Sequence, residues 1–531
     1  MTGIIITLLI VLCKIPLINL LGDKGFGYYS TALIIYLLLM TLISYGLPKA
    51  VSTVIAEQCS KGHYKLVYKT TISSLIFALI AGGCFAAIVF LGAQIIAVYL
   101  MGAAFSVYAI RGFAPCLMFI SVLGVLHGVY AGTRAAAVSK TMYYIEEFFV
   151  AALSIAGAYI FTGIGTDIAR TKGDLLYEAA YSALGASLGF TCGVFIALVF
   201  ALVIFIKYRK KLKRLADKDR SEIRISTKEI LLKLIKTMLP FILTIAVFHL
   251  SNVVDYAVFN KIMNVQGHKE NSYIILLGML NGKYEFFISL PLLFVNWFAA
   301  SKVPVLTKIV QEGNQRKIHN KIGQCMRYVM LFIFPCTVFY VLYAKPLMTL
   351  AFSGINDTPA MLLRVGAVSV IFYSLTIVSN AIINTLDDWT SVVKNACISL
   401  IIQFISLLIM MIIFQWGIIA VVASRIVFAT SLFVLNEHTL RECTGYIQDQ
   451  KRTFKLPAIA ALIMGGISFA FYFILELFVP VKIVIIIVFF IAVLAYVLSL
   501  ILVGGITQRE MYRIPGGKFL APLCKKLHLI K

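Results

Sequence analysis

Four lysines lie inside or at the ends of long apolar stretches, where a positive charge is costly. Lys14 is in the middle of the first stretch, Lys49 and Lys302 close two others, and Lys283 opens one. An ammonium group at bilayer depth costs about 3 kcal/mol or more, so it must pair, reach the interface or face water. If the helices face one another across an axis, these lysines, with Glu285 beside Lys283, would line one positively charged cavity.

Each lysine also has a simpler interpretation. The first stretch is short enough for Lys14 to reach the interface, and Pro16 would loosen the helix at that point. Lys49 and Lys302 could be ordinary interfacial anchors. Their matching positions in the two halves of the chain favour the cavity.

Asp255 is the acidic candidate, because it could bind a coupling cation with Asn252 on the same helix face. It could equally be a helix-end residue near the interface. His127 and His249 are interpreted as packing residues, with a role as proton relays as the alternative. Glu146 and Glu147 suit the N-terminal end of a helix, and Arg425 inside a span requires a partner that the sequence does not identify.

The composition is typical of a membrane protein that crosses the bilayer many times. Hydrophobic residues make up 61% of 531 positions and charged residues 13%, about half the charged share of a soluble domain. Spans of about 20 residues are predicted at 3–21, 28–47, 70–92, 112–131, 147–165, 179–206, 237–258, 284–303, 326–344, 362–386, 395–414, 417–435, 457–476 and 483–504. The first stretch lacks a cleavage site, so we expect it to be retained.

The net charge of +24 falls mostly on every second connection between these stretches. By the positive-inside rule this places both termini in the cytoplasm. Anionic membrane lipids therefore account for the basic charge, and nucleic acid is not expected as a partner.

No phosphate-binding glycine loop, metal triad or nucleophile motif is found in the sequence. The ten cysteines have no disulfide or zinc spacing. We therefore predict that the chain is not an enzyme, and that it needs no metal or cofactor other than a coupling Na⁺ or H⁺.

The chain repeats itself weakly. The residues around Lys49 resemble those around Lys302, and Arg111-Gly112 resembles Arg364-Val365-Gly366 at a similar offset. A parallel repeat of this kind is typical of transporters whose site lies between two lobes. The predicted domains are a lobe at 1–206, a basic cytoplasmic linker at 207–236, a second lobe at 237–456, two further spans at 457–508 and an amphipathic cytoplasmic tail at 509–531.

Four segments together resemble one family: LGDKGFGYY at 21–29, YGLPKAVS at 45–52, RGFAP at 111–115 and RIPGGK at 513–518. The chain is similar to the stage V sporulation protein B group of polysaccharide transporters. That group is placed with the MurJ-type lipid II flippases in the multidrug/oligosaccharidyl-lipid/polysaccharide exporter superfamily. One departure is that the cavity cations, often arginine in relatives, are lysines here, which lack the planar fork that holds phosphate bidentately.

The resemblance implies an all-α, V-shaped membrane transporter with about fourteen spans in two six-helix lobes plus two C-terminal helices. It would flip an undecaprenyl-pyrophosphate-linked oligosaccharide, lipid II above all, to the outer leaflet for cell-wall or spore-cortex synthesis. Cations on spans 1, 2 and 8 would serve the pyrophosphate, which adds Lys24 to Lys14, Lys49 and Lys283, and a cation site near span 7 would include Asp255.

Three alternatives remain. One is a cation-coupled multidrug exporter of the same superfamily, another is a translocase for capsule or teichoic-type units, and the third is a membrane scaffold for a wall-building complex. We expect a monomer in the bacterial plasma membrane, with cell-wall synthesis machinery as a candidate partner.

Overall fold

The computed structural model describes residues 12–219, 225–354 and 357–506, and these residues form helices and turns without any strand. They fall into two compact units. The first comprises the residues up to Gly282 together with Leu408–Ile418, and the second comprises Lys283–Leu407 together with the residues from Ile419 onward.

Eight α-helices belong to the first unit: α1 Lys14–Met40, α2 Leu47–Ser60, α3 Tyr64–Ile95, α4 Val107–Gly132, α5 Ala136–Lys172, α6 Leu176–Lys218, α7 Thr227–Val265 and α8 Glu270–Gly278. Gly22 interrupts α1 with a positive φ of 62°, which glycine adopts at little cost. Ser226 begins α7 by accepting a hydrogen bond from the backbone N–H of Glu229, as an N-cap does.

Seven helices follow: α9 Glu285–Gln311, α10 Gln315–Ala351, α11 Asp357–Thr385, α12 Trp389–Ile412, α13 Ile418–Thr444, α14 Leu456–Glu476 and α15 Val481–Leu502. All lie in the second unit except the end of α12 and the first residue of α13. The π-helical turn Met279–Tyr284 leads into α9, and Asn314 caps α10 by accepting from the N–H of Lys317.

The helices agree with the predicted spans. Thirteen helical segments among the described residues are long and apolar enough to cross a membrane. Spans 2 to 14 of the prediction each overlap one such segment. Positions 3–11 of the predicted first span, 3–21, lie outside the described residues, and the part from Lys14 onward belongs to α1 before its interruption at Gly22. The all-α integral membrane fold is thus confirmed.

The region predicted as a linker, 207–236, is largely helical where it is described. Residues 207–218 continue α6, and α7 begins at Thr227. Glu57 of α2 joins this region to α2 through an ion pair with Lys233 at 2.6 Å, and it also pairs locally with Lys61 at 2.8 Å. The predicted tail, 509–531, lies outside the described residues.

Turns with positive φ recur at matching places in the chain. Gly62 and Gly313 follow α2 and α9, Gly102 and Gly354 precede α4 and α11, and the later pair is Arg134 and Asp387. The members of each pair are separated by nearly the same length of sequence, as the internal repeat predicts. Helix α7 belongs to the first compact unit, whereas the repeat assigns it to the second lobe. The lobe boundaries therefore stay a prediction.

Glycines in the 21–29 motif have a packing reason. A Cβ at Gly27 would overlap the backbone and side chain of Ile274, and one at Gly278 would overlap the backbone of Asp23. Only glycine lets α1 and α8 approach this closely. Asn281 adds a hydrogen bond from its amide to the hydroxyl of Ser30 at 3.1 Å.

Candidate functional site

The second unit buries a lysine at the beginning of α9. Lys283 belongs to the π-helical turn and is only 5% exposed. Its ammonium group donates a long hydrogen bond of 3.5 Å to the carbonyl of Gly354, in the turn between α10 and α11. Single π-helical turns inside longer helices often mark functional positions. The predicted cation is therefore held inside the protein rather than at an exposed helix end.

An arginine from a distant helix meets the same segment. Arg425 on α13 is 5% exposed, and its Nη1 lies 3.2 Å from a carboxylate oxygen of Glu285. The Glu285 side chain is 45% exposed. We call Lys283, Glu285 and Arg425 the Lys283–Arg425 cluster. It carries two buried positive charges and one half-exposed negative charge.

Tight packing fixes the backbone that carries this cluster. A Cβ at Gly366 of α11 would lie 2.6 Å from Cζ of the Tyr284 ring. Only a glycine at this position therefore lets α11 pack against Tyr284. Phe286 and Phe287 both meet the ring of Phe352, with centroids 5.7 and 6.1 Å apart. The hydroxyl of Tyr340 donates to the carbonyl of Phe287 at 2.9 Å. The start of α9 is therefore held from α10 and α11.

The other predicted lysines have different surroundings. Lys14 is exposed at the start of α1 and interacts electrostatically with Glu147 of α5. Lys24 is half-buried on α1 after Gly22, and Lys49 is exposed on α2. Lys302 of the second unit is half-buried, with its ammonium 5.5 Å from the centre of the Phe298 ring. That Lys49 and Lys302 line a cavity stays a prediction, with interfacial anchoring as the alternative.

Asp255 is fully buried, at 0% exposure, ten residues before the end of α7 at Val265. The helix thus continues for ten residues beyond Asp255, and the choice between a coupling-cation ligand and a residue near the interface stays a prediction. Asn252 is half-buried one turn earlier on the same helix. No group of three or more His, Cys, Asp or Glu side chains that could hold a metal ion occurs among the described residues.

Two arrangements were not predicted. Arg425 was predicted as a charge inside a span, but Glu285 was not predicted as its partner because the two residues lie far apart in the chain. His127 was interpreted as a packing residue. In the structure His127 lies 2.9 Å from the hydroxyl of Ser139 and 3.7 Å from a carboxylate oxygen of Glu146. The sequence signal for this contact was a histidine and a glutamate in two neighbouring spans.

Comparison with known families agrees with this fold. Residues 1–310 match the family model "Polysaccharide biosynthesis protein", and residues 173–490 match the model "Lipid II flippase MurJ". The chain belongs to the MurJ and polysaccharide biosynthesis protein families. The predicted membership in the exporter superfamily is thereby confirmed, and the chain is a multi-pass membrane protein of the transporter type.

Two curated relatives come from Bacillus subtilis (strain 168). Lipid II flippase MurJ is 21% identical over 403 residues, which cover 74% of this chain and 72% of that protein. Stage V sporulation protein B is 21% identical over 341 residues, covering 62% of this chain and 63% of that protein. The chain thus spans less than two thirds of the sporulation protein's length.

Solved structures show the same fold. The inward closed conformation of lipid II flippase MurJ matches with a TM-score of 0.60 and 16% identity, over 93% of this chain and 97% of that one. An inward-facing multidrug resistance transporter of the MATE family matches with a TM-score of 0.64 and 16% identity, over 82% and 94% of the two chains. The predicted MATE-like fold is confirmed.

Proposed function

We propose that this protein flips a prenyl-diphosphate-linked saccharide of the lipid II class from the inner to the outer leaflet by alternating access. A cargo of this kind does not cross unaided, because its hydroxyls and diphosphate would lose their water to hydrocarbon. Polar and cationic side chains replace that water, while the prenyl tail stays in lipid.

The observation that carries the proposal is the burial of Lys283 and Arg425 within one unit of a membrane protein. Removing cations from water costs several kcal/mol each unless negative groups compensate, and charged residues at bilayer depth are typical of transport pathways. A diphosphate adds two acidic groups and several acceptor oxygens, which suit cationic side chains such as lysine and arginine. Family membership independently supports a lipid-linked cargo.

The remaining predicted cations have supporting roles in this proposal. Lys14, Lys24, Lys49 and Lys302 attract the anionic headgroup as it enters. With both termini in the cytoplasm, an inside-negative membrane potential favours outward movement of an anion. Asp255, with Asn252, binds the Na⁺ or H⁺ that resets the transporter.

The test is flipping in proteoliposomes that contain the purified full-length chain. The panel consists of lipid II, a capsule-type and a teichoic-type prenyl-diphosphate saccharide, and a neutral glycolipid. We expect the diphosphate-linked saccharides to reach the outer leaflet and the neutral glycolipid to remain. The proposal is wrong if no diphosphate-linked saccharide moves faster than in protein-free liposomes.

The buried carboxylate of Asp255 favours one second candidate, a cation-coupled drug exporter, since such a carboxylate can hold a coupling cation. Susceptibility of a deletion strain to cationic drugs distinguishes the two functions. A strain that loses drug resistance but keeps lipid-linked precursors on the outer leaflet would favour the exporter.

A further inference from the structure

A second charged group of side chains lies in the first unit, apart from the Lys283–Arg425 cluster. His127 of α4 has one ring nitrogen 2.9 Å from the hydroxyl of Ser139 and the other 3.7 Å from a carboxylate oxygen of Glu146. Glu147 shares a hydrogen bond with Tyr143. We call His127, Ser139, Glu146 and Glu147 the His127–Glu146 cluster. The side chains of His127 and Glu146 are each 15% exposed.

The cluster adjoins a cation that the proposed function assigns to the cargo. Lys14 of α1 lies close enough to Glu147 to stabilise its carboxylate electrostatically. Any change in the charge of the cluster must therefore change the field at Lys14. Since the cluster lies away from bulk water, its charges act at a low effective dielectric constant.

The surrounding helices add few other charges. Besides His127, the titratable groups that interact with Glu146 or Glu147 include Lys14 and Tyr36 of α1, Cys116 of α4 and Tyr143 of α5. The apolar parts of α3 and α6, at 70–92 and 179–206, contain no charged residue. On α2, Pro48 and Val51 pack against α4. The basic residue of α2 that lies nearest to them in sequence is Lys49. Histidine is the side-chain type whose ordinary charge change falls nearest to neutral pH.

We propose that His127 is a proton-binding residue that sets how strongly the first unit holds an anionic headgroup at Lys14. This inference rests on the proposed function and adds its regulation. With His127 neutral, the charges of Lys14, Glu146 and Glu147 sum to one negative charge. With His127 protonated, that sum is zero, because the imidazolium pairs with Glu146 through the contact already present.

A proton on His127 therefore favours the anion-loaded state, and its release favours departure of the cargo. One unit charge at roughly 10 Å and an effective dielectric constant near 20 changes anion affinity about tenfold.

The experiment uses the full-length chain in lipid nanodiscs and fluorescent lipid II as the probe. We expect the Kd of the wild type to fall about tenfold between pH 8.0 and pH 5.5, and that of His127→Gln to change little. His249→Gln is the matched control, because His249 is a half-buried histidine of α7 in the same unit. It should retain the wild-type dependence on pH.

A second measurement needs no variant. Titration calorimetry of the wild type near pH 7 in buffers of different ionisation enthalpy should show proton uptake when lipid II binds. The inference is wrong if no proton is taken up, or if His127→Gln keeps the pH dependence of the wild type. These outcomes leave the proposed function standing, whereas absence of lipid II binding at every pH would contradict the proposed function itself.

Discussion

The two compact units both contain charges among apolar helices, but they hold them differently. In the second unit Lys283 and Arg425 are buried beside the half-exposed Glu285. In the first unit Lys14 is exposed and interacts with Glu147, which adjoins the pair of Glu146 and His127. In our proposals the second unit offers positive charge to the cargo, whereas the charge of the first unit is set by a proton on His127. The same residue type thus has different surroundings in the two units.

The largest effect is expected for the buried lysine of the second unit. Lys283→Ala should reduce lipid II flipping about tenfold to a hundredfold, because a charged hydrogen bond is worth about 1.5–3 kcal/mol. Flipping is measured in proteoliposomes at a fixed membrane potential. Lys283→Arg, which retains the charge, should preserve most activity.

The matched control is Lys317→Ala, which removes an exposed lysine paired with Glu312 at 2.9 Å in the same unit. It should flip at the wild-type rate, because exposed ion pairs contribute little. Equal activity of Lys283→Ala and Lys317→Ala would remove the contrast between the two units.

A double-mutant cycle sharpens the role of the buried arginine. Arg425→Leu and Glu285→Gln, singly and together, should give a coupling energy of about 1–3 kcal/mol in the free energy of unfolding. The pair is shielded on the arginine side, so its interaction is stronger than that of an exposed pair. Denaturation in detergent gives the four values. Additive effects of the two changes would show that the contact at 3.2 Å is energetically unimportant.

A smaller effect is expected where the second unit positions its cluster. Gly366→Ala places a methyl group against the Tyr284 ring and should lower the free energy of unfolding by about 1–3 kcal/mol. Gly466→Ala in α14 is the control, since a Cβ there meets nothing within 4 Å. Thermal unfolding of both variants tests this. Equal melting temperatures would mean that Tyr284 moves freely.

The smallest effect concerns a turn of the second unit that the repeat matches to Arg134 in the first. Hydrogen bonds from Ser391, with a further one from Thr390, hold the pKa of Asp388 below its ordinary value. The ionised carboxylate therefore stabilises the fold above the unfolded pKa of about 3.9, and this stabilisation is lost as pH falls through the lower folded value.

Asp388→Ala should lower stability by about 1 kcal/mol at pH 7 and by less at pH 3. Asp388→Asn can still accept a hydrogen bond at the start of α12. Its stability should therefore lie between that of the wild type and that of Asp388→Ala. Stability of the wild type and of Asp388→Ala is compared by denaturation at both pH values. A difference that stays constant with pH would contradict this assignment.

The membrane fold could be read from the sequence because its determinants are local. A span needs about 20 apolar residues whatever its neighbours are, so each predicted stretch from 28–47 onward corresponds to a helix. Lys283 and Asp255 were also recognised locally, as charges in apolar surroundings. Burial was not predictable in the same way: Lys14 lies in the middle of an apolar stretch and Lys283 opens one, yet Lys14 is exposed and Lys283 is only 5% exposed.

By itself, then, the sequence determined which stretches form long apolar helices and which of their residues carry charge, because hydrocarbon selects apolar stretches one at a time. The tertiary structure alone decided which charges meet. Arg425 reaches Glu285 from 140 residues away, and His127 reaches Glu146 from a neighbouring helix. The physical reason is that the rotation and packing of the helices decide which side chains meet. The separation of two residues along the chain does not determine their distance in space.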